Sequence, residues 1–128
     1  MAEAARPGVT TAELNEIGAK VLAESGAESA PPKVYRFPAA VCISVNDEAI
    51  HGIPGDRILQ TGDLLKLDLV AEKDGFFADA AVTVRVGEVS TTADALVRCA
   101  ESAFHHPAKA AHVGNRVYDI GRAGSSSM

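Results

Sequence analysis

The sequence predicts an α+β fold in which an antiparallel sheet is covered by helices. Two observations carry this. The stretch LLKLDLVAEKDGFFADAAVTVR, residues 64–85, reads as two alternating strands about a turn. On either side of it, apolar residues recur at helical spacing. The chain has 128 residues, 47% hydrophobic and 23% charged, which is enough for one domain with its own core.

Arg6-Pro7-Gly8-Val9 reads as a turn into the first helix. Thr10 with Glu13 three residues on is a capping box, in which the hydroxyl takes an orphan amide and the carboxylate reaches back. Leu14, Ile17, Val21 and Leu22 form the apolar face, and Gly26 stops the helix. Residues 28–40 read as a loop stiffened by Pro31, Pro32 and Pro38, with a short extended piece at 34–37. Val41–Val45 is a strand turned by Asn46-Asp47. A second loop carries His51-Gly52-Ile53-Pro54, and Thr61-Gly62-Asp63 turns into the hairpin.

In the hairpin, Leu65, Leu67 and Leu69 face a core and turn Lys66, Asp68 and Val70 to the other side. Ala80, Val82, Val84 and Val86 repeat the alternation and leave Asp79, Ala81, Thr83 and Arg85 opposite. Lys73-Asp74-Gly75 is the turn. If Glu72 and Gly75 close it, Asp68 lies directly across from Asp79, and a three-residue loop keeps that register only with a bulge at Gly75. Beyond Val86-Gly87 a helix capped by Thr91 or Thr92 is expected, with Ala93, Leu96, Val97, Ala100, Ala103 and Phe104 on one stripe and Pro107 kinking it. His105, His106 and His112 belong to its polar face, and Cys99 to its core side. Gly114 to Ile120 repeats the spacing of Gly8 to Leu14, with glycine, then an acid five residues on, then an aliphatic, and so reads as the start of a second copy of the opening unit. Residues 1–123 form the domain on this reading, and 124–128 a disordered tail.

The net charge of −5, with no basic stripe, excludes a general nucleic-acid binder. No apolar run approaches a membrane span, and two cysteines favour a reducing compartment, so a cytoplasmic protein is expected. The chemistry concentrates in Asp68 and Asp79. Two carboxylates close together among apolar residues repel one another and lose solvation, and a divalent cation relieves both costs. An ordinary exposed hairpin with two solvated aspartates is the bland alternative. His51, followed by a glycine that admits close backbone approach, is a candidate proton donor or metal neighbour, although a lone histidine is more often structural.

The stretches PGVTTAELNEIG, residues 41–89 with SVND, HGIP, LDLV and the second aspartate in order, and GNRVYDIGRA resemble the type I methionine aminopeptidases, the pita-bread metallopeptidases. The resemblance runs from Pro7 to Ala123 and implies the N-terminal half of that fold. It implies a hydrolase that removes N-terminal methionine from nascent peptides with two divalent metal ions (Co, Mn, Fe or Zn) acting as Lewis acids. Asp68 resembles the bidentate ligand of one metal, and Asp79 the ligand bridging both. His51 resembles the histidine that contacts substrate near the scissile bond, and Phe37 and Cys42 resemble lining residues of the methionine pocket. The HGIP stretch favours this branch over creatinase-type and proline-specific relatives.

The family's further histidine and two glutamates have no counterpart here, nor has its long N-terminal helix. Phe77-Ala78-Asp79-Ala80 replaces His-Gly-Asp-Thr, with loss of a hydroxyl. Three expectations follow: an impaired or inactive enzyme, a non-catalytic binding module, or a subunit whose missing half comes from a second chain.

Overall fold

Thr10 caps the first helix as its sequence demands. In the computed structural model, which describes residues 1–125, Glu13 N–H donates to the Thr10 hydroxyl at 3.2 Å while the Glu13 carboxylate accepts from Thr10 N–H at 2.7 Å. Helix α1 then runs Thr11–Glu24. Its buried stripe is Leu14, Gly18 and Leu22, and Val21, expected inside, is half-exposed. Gly18 takes the inner position because a Cβ there would lie 2.5 Å from Val41, so the helix approaches the sheet closely only through a glycine.

Strand β1 (Glu28–Ser29) leads directly into a short helix α2 (Ala30–Tyr35), where the sequence pointed to a loop and an extended piece. The two prolines stand in its first turn, where the missing N–H is no loss and φ is already helical. Arg36, at φ +58, ends it. Strands β2 (Cys42–Val45), β3 (Leu64–Lys73) and β4 (Phe76–Arg85) complete an antiparallel four-stranded sheet. β3 is the central strand: β4 pairs with its whole length on one edge, and β2 and β1 share the other. Asn15 of α1 accepts from the amides of Ala40 and Val41 at 2.9 and 3.1 Å, which fixes the entry to β2. The core is Leu14, Val41, Ile43, Val45, Leu59, Leu65, Leu67 and Val86.

The hairpin register differs from the expected one. Lys73 pairs with Phe76, leaving a two-residue turn of Asp74 and Gly75, at φ +53 and +83. Two positive φ values are those of a type I′ turn, whose twist matches that of the flanking strands. Asp68 therefore lies opposite Ala81, and Asp79 opposite Val70. The slip is by two residues, so every side chain keeps its predicted face.

The chain divides into two compact units, Met1–Val89 and Ser90 onward. The second holds α3 (Thr91–Ala110) and α4 (Val117–Ser125), which pack on each other. Ser90 rather than a threonine caps α3, accepting from Ala93 N–H at 3.1 Å. Pro107 lies within α3, and Cys99, expected toward a core, is exposed. The repeat at 114–120 is structural: Gly114 has φ +98 where Gly8 has +92, and Asp119 accepts from Arg116 N–H at 2.9 Å as Glu13 does from Thr10. Gly124 and Ser125, assigned to a tail, are the end of α4, and the remainder of that tail lies outside the described residues. No described helix is long and apolar enough to cross a membrane.

Candidate functional site

The sheet register places the chemistry on one face. Opposed residues share a face, so Cys42, Asp68 and Ala81 form one row across β2, β3 and β4. Val70 and Asp79 form the next row, and Glu72 and Phe77 the one nearest the turn. Asp68 and Asp79 are thus diagonal neighbours, with backbones about 7–8 Å apart, close enough for their carboxylates to share one cation.

Their electrostatics agree with that placement. Partial burial, and then the Asp79 carboxylate, push the Asp68 carboxyl above the usual range, and His51 draws it partly back. Burial and the same two carboxylates also raise the Cys42 thiol, which therefore stays protonated at neutral pH.

His51 reaches this face from the loop after β2. Its backbone holds φ +57, a conformation that costs a non-glycine residue about 1–3 kcal/mol and persists only where the surroundings impose it. The imposing contacts are next door. Gly52 lies so close to β2 that a Cβ would stand 2.2 Å from the Ile43 carbonyl oxygen. Ile43 N–H donates to Gly52 O at 2.9 Å, and Gly52 N–H donates to the Ser44 hydroxyl at 3.0 Å.

Tyr35, which the sequence reading did not single out, joins these parts. Its ring centroid is 6.3 Å from that of His51 and 6.5 Å from that of Phe37. Loss of solvent, followed by Cys42, Asp68 and Asp79, raises its phenol. The signal for it was a helix start at Pro31-Pro32, which places Tyr35 on the last turn of α2. Lys33 of the same helix holds α2 to the sheet by donating to Glu72 at 3.1 Å and to Glu28.

Between α2 and the hairpin lies an apolar cleft of about 360 Å³, lined by Ala30, Pro31, Val34, Tyr35, Val70 and Phe77. It is at the small end of the range for ligand sites. Phe37 meets its Tyr35 wall ring to ring, and Cys42 lies outside the lining, in the same row as Asp68.

The structure therefore gathers His51, Asp68, Asp79, Cys42 and Phe37 about Tyr35. It does not bring His105, His106 or His112 into a metal cluster: no group of three or more His, Cys, Asp or Glu side chains suited to an ion occurs among the described residues. The aspartate pair has the right chemistry for a hard or borderline divalent cation, because its repulsion is what a cation would relieve. It supplies only part of a coordination shell.

Over 124 residues the chain is 46% identical to methionine aminopeptidase 2 of Bacillus subtilis, covering 96% of this chain and 50% of that protein. Over 118 residues it is 42% identical to a methionine aminopeptidase of Clostridium perfringens, covering 92% and 47%. The crystal structure of methionine aminopeptidase from Rickettsia prowazekii superposes with a TM-score of 0.92 at 29% identity, over 98% of this chain and 51% of that one. Prolidase from Pyrococcus furiosus shares the fold, with a TM-score of 0.79 at 18% identity. The fold is thus the expected pita-bread α+β architecture, and the chain spans about half the length of the curated relatives it matches. The profile of metallopeptidase family M24 matches residues 1–128, and the chain belongs to that family.

Proposed function

We propose that the chain carries the first half of a methionine aminopeptidase site. Asp68 and Asp79 are its metal ligands, and the remaining ligands lie outside these 128 residues. The observation that carries the reading is the aspartate pair on one sheet face, with His51 acting on Asp68 and an apolar cleft alongside. The names of the relatives support methionine as the residue removed.

The roles follow from position. Asp68 and Asp79 hold the divalent ions, two in a complete site, which when bound supply Lewis acidity toward the scissile carbonyl. The exposed His51 ring stands where it can donate a hydrogen bond to a peptide carbonyl oxygen beside the carboxylates. The cleft excludes water from the methionine side chain; Phe37 meets its Tyr35 wall, and Cys42, opposite Asp68, joins the pocket on the strength of the resemblance. Two carboxylates bind an ion weakly, so the 128-residue chain turns over little or no peptide unless a second chain completes the site. Cytoplasmic location fits this reading.

The test has two arms. Mn²⁺ added to the purified chain should broaden the amide resonances around Asp68 and Asp79, and Asp79→Ala should remove the effect. Methionine release from Met-Ala-Ser with Mn²⁺ or Co²⁺ should be negligible. Turnover by a verified monomer that vanishes in Asp68→Ala would overturn the half-site reading. Absence of any Mn²⁺ effect would overturn the metal assignment.

A further inference from the structure

The sheet row next to Asp68 grips the His51 loop on both sides of the histidine. Ser44 of β2 and Lys66 of β3 lie opposite one another, two residues along their strands from Cys42 and Asp68 and therefore on the same face. After His51, Gly52 N–H donates to the Ser44 hydroxyl at 3.0 Å. Before it, the Lys66 ammonium donates to Asn46 O at 2.7 Å and to Glu48 O. Hydrogen bonds from a charged donor are roughly twice as strong as neutral ones. The Glu48 carboxylate is engaged elsewhere, accepting from Val45 N–H and from Arg57 Nη1, each at 2.8 Å. Lys66 therefore fixes the main chain at Glu48 rather than its charge. Only Ala49 and Ile50 separate that carbonyl from His51, and Ile50 is 71% exposed, so it gives the loop little hold on the core.

We propose that Lys66 is a positioning residue, which holds the stem before His51 so that the ring is presented to the face of Asp68 and Asp79. The inference rests on the proposed role of His51 and adds to it the side chain that fixes the ring's place. Positive φ at His51 requires such a hold, because a non-glycine residue relaxes out of that conformation when its flanks are free. The hold comes from both flanks, at Glu48 through Lys66 and at Gly52 through Ser44. Lys66 and Asp68 stand on one strand, so the loop's anchor and a metal ligand share a rigid frame.

The test is NMR on the metal-free 128-residue chain and its variants, reading cross-relaxation between the His51 and Tyr35 rings, whose centroids are 6.3 Å apart. Lys66→Met removes the donors and keeps an apolar stem. It should remain folded and lose the His51–Tyr35 cross-peaks. Lys66→Arg keeps the charge and can donate to both carbonyls, so it should retain them. Lys66→Gln gives up the charge but keeps an amide donor, and should weaken the cross-peaks. It serves as the milder variant should Lys66→Met unfold. Urea unfolding of each variant separates loss of the ring contact from loss of the fold.

Cross-peaks unchanged in both Lys66→Met and Lys66→Gln overturn the assignment of Lys66. Their loss in a folded Lys66→Arg overturns it too, because the hydrogen bonds would then not be what holds the loop. Mn²⁺ broadening at Asp68 and Asp79 reads the metal half-site independently, and it should persist in every folded variant. Its presence beside unchanged cross-peaks sinks Lys66 alone, and its absence from the parent sinks the underlying function.

Discussion

Replacing Gly52 by alanine should dislodge the His51 loop, and the size of the effect can be worked from the contacts. A Cβ at Gly52 would stand 2.2 Å from Ile43 O, 2.7 Å from Ile43 C and 2.8 Å from Ser44 Cα, all of them backbone atoms of a buried strand. Ordinary contact begins near 3.4 Å, so the loop must retreat by about 1 Å. A movement of that size breaks both bonds that tie the loop to β2, Ile43 N–H to Gly52 O and Gly52 N–H to Ser44 Oγ. Ile43 and Ser44 are 1% and 2% exposed, so water does not readily replace the lost partners. At about 1–3 kcal/mol for each orphaned group, offset in part by relaxation, Gly52→Ala should cost about 2–4 kcal/mol. Urea unfolding with amide-exchange protection at Ile43 measures it. The His51 ring resonances should move with the backbone. A variant within about 0.5 kcal/mol of the parent, with Ile43 still protected, would refute the close-approach argument.

Asp68→Asn should raise the urea midpoint of the metal-free chain slightly, because it removes a carboxylate held against burial and against Asp79, an effect that solvent screening keeps small. It should also abolish the Mn²⁺ effect, and a lowered midpoint would contradict the electrostatic account. Leu65→Ala empties a fully buried position on the central strand and should cost about 2–5 kcal/mol, read as a shift in the same midpoint. The capping box gives a pH prediction. Thr10 N–H and then its hydroxyl hold the Glu13 carboxyl below its ordinary value. A depressed carboxyl stabilises the fold above the unfolded value and loses that contribution as pH falls through the folded one. The stability gap between parent and Glu13→Gln should therefore be constant near neutrality and shrink below about pH 4. A gap independent of pH would show that the charge is not what matters.

Much of the site was legible because it rests on parity. Alternation along 64–85 put Leu65 and Leu67 in the core and Asp68 and Asp79 together on the other face, and the structure keeps that division. The same parity explains the register error: pairing Lys73 with Phe76 slides Asp79 by two residues and leaves every face unchanged, so hydrophobic pattern cannot distinguish the two. Turn geometry distinguishes them, through positive φ at both Asp74 and Gly75. The capping box at Thr10 and its partial echo at Arg116 were readable because a cap is a contact between residues three apart.

What escaped the sequence was contact across distance in the chain. Pro31 and Pro32 read as loop because proline ends helices more often than it is noticed starting them, and with α2 unseen Tyr35 had no place on the site. The buried position of Gly18, the pressure of Gly52 on Ile43, and the meeting of Tyr35 with His51 join residues between 9 and 23 positions apart. Local composition settled which residue types stood ready for metal and peptide chemistry, since alternation and capping act between near neighbours. Folding settled which of them meet, since the packing of α2 and the His51 loop on the sheet depends on shapes that no short window of sequence contains.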